Sequence, residues 1–271
     1  MESIGELLRE WRIRRRMSQL ELATDADIST KHLSFLETGR SRPSRQMLLR
    51  LTGCLDVPLR ERNRMLKTAG FATAFEERAF FAPALTMVRR SVEDLLGAYD
   101  PVPALVTDRH WTILATNRAM EHLFTGTEWN GRPGSVNVLR LCLHPSGLAP
   151  RIVNFSQWRA HIIARLRRQI DLRGDPVLMS LLEEIRSYPC PRNAPEEETV
   201  QSDIAVPLRL RAASGVLSFF STTTLFDTPV DITVSELAIE ALMPADEETA
   251  SIMQRVAGRT AWPHSDALAA D

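Results

Sequence analysis

Between Ser29 and Arg45 the chain gathers side chains that donate hydrogen bonds or carry positive charge. Thr30, Lys31, His32 and Ser34 fall on the outward side of what reads as one short helix, while Leu33 and Leu36 form its inward stripe. Arg40, Arg42 and Arg45 follow directly. A hydroxyl, an ammonium and an imidazole near a helix start could meet a protein, a phosphate or a base, and taken alone such a face is most often merely solvated. Catalytic chemistry has less to stand on. His144 near Ser146, and Asp108, His110 and His122, are the groups that could be imagined as ligands or bases. The chain has no HExxH, no GxSxG elbow, no Walker loop and no GxGxxG after a strand, so no catalytic and no metal-binding residue is assigned. "HPSGL" reads as a turn, with Pro and Gly setting the backbone. Cys142 reads as a small buried side chain, and the three cysteines form no CxxC pair.

The elements that would position the polar face are short. Ile4, Leu7, Leu8 and Trp11 are spaced for one amphipathic helix. Ser18 with Glu21 forms a capping box for a second, and Met17 with Leu22 its hydrophobic staple. Ser29 caps a third helix, which Gly39 ends. Ser44 caps a fourth with Leu48, Leu51 and Leu55 inward, and a fifth begins at Pro58 and stops at Gly70. Five short helices, the second and third joined by a tight turn, describe an all-α helix-turn-helix domain over residues 1–70.

Charge agrees with that division. Residues 1–70 hold 14 Lys and Arg against 9 Asp and Glu, and the remainder holds 19 against 25. A basic module joined to an acidic one suits a polyanion partner. The chain of 271 residues is 44% hydrophobic and 25% charged, ordinary for two globular cores. No apolar run is long enough to span a membrane. The N-terminal "MESIGELLREW" lacks a basic region followed by an apolar one, which argues against a secretory signal and for a cytoplasmic address.

"MSQLELATDADISTKHLSFLETGRSRPSRQMLLRLTGCLDV" resembles the Cro/repressor (XRE) class of helix-turn-helix domains. The resemblance implies double-stranded DNA as partner, with the third helix in the major groove. Thr30, Lys31, His32 and Ser34 would then face bases, Lys31 suiting guanine and Thr30 a thymine methyl or an acceptor. Arg40, Arg42 and Arg45 would clamp phosphates, giving affinity and register rather than sequence choice. Gln19 matches the family position that donates to a phosphate, at a helix N-terminus that favours anions anyway. Phe35 stands where the class often carries a polar residue, and would pack on a thymine methyl or on its own domain.

Residues 71–84 read as a linker and 85–258 as a second domain, with a flexible tail at 259–271. A helix near 85–98 precedes two strand candidates, "ALVTD" and "WTILATN", and "NRAMEHLF" reads as a helix. "FSQWRAHIIARLRRQIDL" and "DPVLMSLLEEIRSY" are helical; "IAVPLRLRA" and "GVLSFFSTTTLF" form a hairpin around "ASG". "DITVSELAIEALMP" supplies a last strand and "ADEETASIMQRVAG" a last helix. The class is an α+β antiparallel sheet with flanking helices. "PALVTDRHWTILATNRAMEHLF", "NVLRLCLHPSGL", "VPLRLR", "GVLSFFSTTTLFDTPVDIT" and "PADEETASIM" resemble the MmyB-like ligand-binding domain, which often follows an XRE module. That resemblance implies a PAS-like fold and a sensor of a small apolar molecule, a fatty acid being one precedent. No other cofactor is implied.

Sheet and helices would enclose an apolar cavity. Trp111, Phe155, Trp158, Phe219 and Phe220 are its candidate lining, with Asn117 at a strand–helix junction either capping the helix or meeting the ligand. The expected protein is a transcriptional regulator that binds a pseudo-palindromic operator as a homodimer and responds to a small apolar, fatty-acid-like ligand. The alternatives are a regulator whose second domain is only a platform for dimerisation or a protein partner, and an enzyme with a DNA-binding appendage.

Overall fold

Four of the first five helices start where a serine hydroxyl accepts a backbone N–H. Ser3 accepts from Glu6, Ser18 from Glu21, Ser29 from His32 and Ser44 from Met47. The helices that follow are α1 (Ile4–Arg14), α2 (Gln19–Asp25), α3 (Thr30–Glu37) and α4 (Arg45–Cys54). In α1 and α2 the third-position glutamate also accepts from the cap's own N–H, completing the capping box. Helix α5 (Leu59–Thr68) has Pro58 at its cap and no side-chain cap bond. The computed structural model describes residues 3–127, 132, 134–191, 206–226 and 230–257; the tail expected at 259–271 lies outside them.

Two compact units emerge. The first takes residues 1–79 together with 171–173 and 228–235, and the second takes the rest. In the first, Leu8, Leu22, Leu33, Leu36, Leu48 and Leu51 are fully buried in one core with Trp11. Gly39 ends α3 with φ 73, a conformation that a side chain would strain. Beyond α5 the chain is tied back by Asn63, whose amide donates to Phe75 O and accepts from the N–H groups of Ala74 and Phe75.

The second unit opens with α6 (Thr86–Tyr99), β1 (Ala104–Thr107), β2 (Ile113–Thr116), α7 (Arg118–Leu123) and α8 (Val138–Leu143). It continues with α9 (Phe155–Arg173), α10 (Pro176–Ser187), β3 (Leu208–Ala212) and β4 (Gly215–Leu225). A short α11 (Ile232–Ser235), counted with the first unit, precedes β5 (Ala238–Pro244) and α12 (Glu247–Ala257). The strands form one curled antiparallel sheet in the order β2-β1-β5-β4-β3. Its two faces are buried separately, as the period of two requires. Leu105, Leu210 and Phe219 pack with α7, α8, α9 and α10, while Val106, Ile239 and Ala241 pack with Val92 and Leu96 of α6. Helices therefore cover both faces.

Two local readings are corrected. The second strand starts at Ile113, not Trp111, because the Asp108 carboxylate accepts the N–H groups of His110 and Thr112 and closes a loop. Trp111 sits in that loop with φ 69. The stretch before β5 is not all strand either: Asp231 accepts from the N–H groups of Thr233 and Val234 and turns it into α11.

Candidate nucleic-acid interface and ligand cavity

The outward side of α3 carries the polar residues that the sequence placed there. Thr30 and Lys31 are exposed, and His32 and Ser34 are half-buried at the first turns. Arg40, Arg42 and Arg45 are exposed beyond the C-terminus of α3 and at the start of α4. Among the described residues none of these three arginines, nor Lys31, forms an ion pair. Phe35 joins two of them: Lys31 Nζ lies 5.7 Å and Arg40 Cζ 5.8 Å from its ring centroid. Its ring thus stands half-buried between two cations on the same side of the module.

Behind this face α1, α2 and α3 are locked together through Glu37, whose side chain is 1% exposed. Arg12 Nε and Nη2 donate to its two carboxylate oxygens at 2.7 and 2.9 Å, and Gln19 Nε2 donates to Oε2 at 2.8 Å. Burial alone would raise the Glu37 pKa, but the hydrogen bonds from Arg12 and Gln19 outweigh it and hold the carboxyl below its usual range. Gln19 is therefore a positioning contact of α2 to α3, with the second N–H of its amide still to donate.

In the second unit a cavity opens between the sheet and helices α7, α8 and α9. Leu105, Met120, Leu139, Ile162, Leu208 and Leu242 are among its walls, with Trp111, Trp158, Cys142, His161, Arg165, Ser221 and Glu240. The space between these side chains is about 730 Å³ including its open end. The cavity is narrow and its wall almost wholly apolar.

Its charged groups are already matched. Arg165 on α9 donates to both oxygens of Glu240 on β5, at 2.9 and 2.6 Å, and to Thr223 Oγ1 at 2.6 Å. The same guanidinium lies 4.5 Å from the Trp111 ring centroid, and Trp111 Nε1 donates to Gln169. His161 is stacked on Trp158; burial and the positive Arg165 and Arg168 lower its pKa, keeping it neutral at neutral pH. Burial pushes the Cys142 thiol up to about 12, so it is no nucleophile at neutral pH.

Of the residues expected to line a ligand site, Trp111 and Trp158 border this cavity. Phe155 and Phe219 are buried in the same core without bordering it. Phe220, next along β4, faces the other way and is 38% exposed. Asn117 is the cap of α7: it accepts from Met120 and Ala104 and donates to Val102 O. Arg165 and Glu240 were not anticipated, because a helix arginine and a strand glutamate so far apart in sequence leave no local pattern. The imagined catalytic histidines do not converge. His110 Nε2 meets Asp175 at 3.1 Å, and His144 Nδ1 accepts from Ser146 inside the expected turn. Among the described residues no group of three or more His, Cys, Asp or Glu could hold a metal ion.

A helix-turn-helix module followed by a sheet domain with an apolar cavity defines a DNA-binding transcription regulator. Residues 8–62 match the family model of the helix-turn-helix, and residues 88–256 match that of the MmyB-like transcription regulator ligand binding domain. The second match covers more than half of the chain, which belongs to that family. No curated protein matches the chain significantly. No helix among the described residues is long and apolar enough to cross a membrane.

Proposed function

We propose that this regulator acts as a homodimer on a pseudo-palindromic operator in the cytoplasm, and that a small apolar ligand in the cavity alters its DNA binding. Two protomers would set their α3 helices in successive major-groove turns. Thr30, Lys31, His32 and Ser34 would meet bases, while Arg40, Arg42, Arg45 and the free amide N–H of Gln19 would meet phosphates. The strand order β2-β1-β5-β4-β3 supports the PAS-like reading of the second domain.

The observation that carries the ligand reading is the narrow apolar cavity in that domain. Its largely apolar lining suits the hydrocarbon chain of a fatty-acid-like ligand. Such a ligand regulates only if it prefers one of two arrangements of the protein. Solvent extraction and native mass spectrometry of the purified protein test occupancy. Selection of bound DNA from a random pool, with and without the extract, tests the operator, its symmetry and the ligand effect together. Repeated preparations without any bound small molecule would leave the domain as a platform for dimerisation.

A further inference from the structure

One apolar ring stands on the side of the first unit that carries Lys31, Ser34 and Arg40. Of the three large apolar side chains of α3, Leu33 and Leu36 are fully buried, whereas Phe35 is only half-buried. Among the described residues it belongs neither to the core of the module nor to the partly buried side chains packed against that core. Its neighbours are cations. Lys31, one turn earlier on the same side of the helix, holds its ammonium 5.7 Å from the ring centroid. Arg40 lies 5.8 Å from it, brought there because Ser41 N–H donates to Phe35 O and folds the chain back over the helix end. Neither cation forms an ion pair among the described residues. The module's core gains little from the ring in this place. What the ring offers outward is an apolar surface, without donor or acceptor, set between two positive charges.

We infer that Phe35 selects thymine, its ring packing on the C5-methyl of one thymine in each half-site. This rests on the reading that α3 lies in the major groove of an operator. Of the four bases only thymine turns an apolar group into that groove; the others present donors and acceptors alone. A phenyl ring over a guanine, adenine or cytosine edge strips water from those groups and returns no hydrogen bond, so the same side chain rejects them. Phosphates flank the groove and draw in the two cations beside the ring, which brings the ring against the bases between them. Phe35 is here a specificity-determining residue, distinct from Lys31, whose ammonium suits guanine.

The test uses the full-length protein and the DNA it selects from a random pool. Each thymine of the selected site is replaced in turn by uracil, which differs only in lacking the methyl. At one position in each half-site uracil is expected to weaken binding by about fourfold, the value of one buried methyl. Cytosine opposite guanine at that position should bind more weakly still, and 5-methylcytosine should recover about fourfold. The uracil penalty should vanish in Phe35→Ala and persist in Thr30→Ser, which removes the other side chain of α3 suited to a thymine methyl. A selected site in which no thymine methyl matters, or a penalty that survives Phe35→Ala, overturns the inference while leaving DNA binding in place. Failure of any sequence to be enriched overturns the operator reading as well. Should Phe35→Ala not fold, 5-iodouracil at the sensitive position of DNA bound to the wild-type protein decides. A photochemical cross-link to Phe35 supports the inference, and a cross-link elsewhere or none overturns it.

Discussion

Glu37 shows how much one carboxylate does behind the DNA-facing helix. It is buried at the end of α3, and Arg12 of α1 and Gln19 of α2 both reach it. Removing its charge strands a guanidinium whose side chain is only 12% exposed. Glu37→Gln is therefore expected to cost the module about 3 kcal/mol in urea denaturation at neutral pH. The pH dependence has a definite sign. The folded pKa of Glu37 lies below the 4.5 of a free glutamate, so the folded state binds fewer protons. Its stabilisation is complete above the unfolded value and is lost as pH falls through the folded one. The gap between wild type and Glu37→Gln should shrink over that acid window, and a constant gap would count against the assignment. The exposed arginines act differently, on affinity rather than folding. Replacing Arg40 and Arg42 together by Ala should leave the unfolding midpoint unchanged. It should also lower the salt slope of DNA binding by about two, one released counterion for each phosphate contact. An unchanged slope would remove them from the phosphate clamp.

At the scale of elements, packing of α1 against α3 turns on a glycine. A Cβ on Gly5 would lie 2.5 Å from Leu36 O and 2.6 Å from Glu37 O, both backbone atoms that cannot swing aside. Gly5→Ala should destabilise the module by about 1–3 kcal/mol and weaken operator binding, since α3 must shift. Gly53, inside α4, meets nothing within 4 Å, so Gly53→Ala should be neutral or stabilising by up to about 1 kcal/mol. Thermal unfolding of the pair separates close approach from helix propensity. These elements were legible in the sequence to unequal degrees. Helix starts were readable because Ser18, Ser29 and Ser44 act on amides three residues away, a purely local device. The start of β2 was not, because Asp108 diverts the chain around Trp111 by side-chain bonds that no alternation of apolar residues reveals. Phe219 and Phe220 were readable as a pair on opposite faces, but not which of the two would be buried. That choice depends on where β5 and α9 pack. The Arg165–Glu240 pair is the extreme case, since a period-based reading sends both side chains to solvent.

For the whole molecule the question is whether a ligand in one unit alters DNA binding by the other, and the segment between β4 and β5 is a place to test it. Strands β4 and β5 supply Ser221, Glu240 and Leu242 to the cavity wall, and α11 between them is counted with the first unit. There Ile232 N–H donates to Glu76 O, and Arg78 Nη1 donates to Asp231 Oδ2 at 2.9 Å. Linkage makes this testable without any assumption about the path. If ligand changes operator affinity by some factor, operator DNA must change ligand affinity by the same factor. Titration of each in the presence and absence of the other should return one number. Asp231→Asn is expected to leave both separate affinities within about twofold and to bring that factor toward unity, because the Arg78 tie is weakened while neither site is touched. A factor of one in the wild type would mean that the ligand does not regulate DNA binding. A factor that survives Asp231→Asn intact would move the coupling away from this segment.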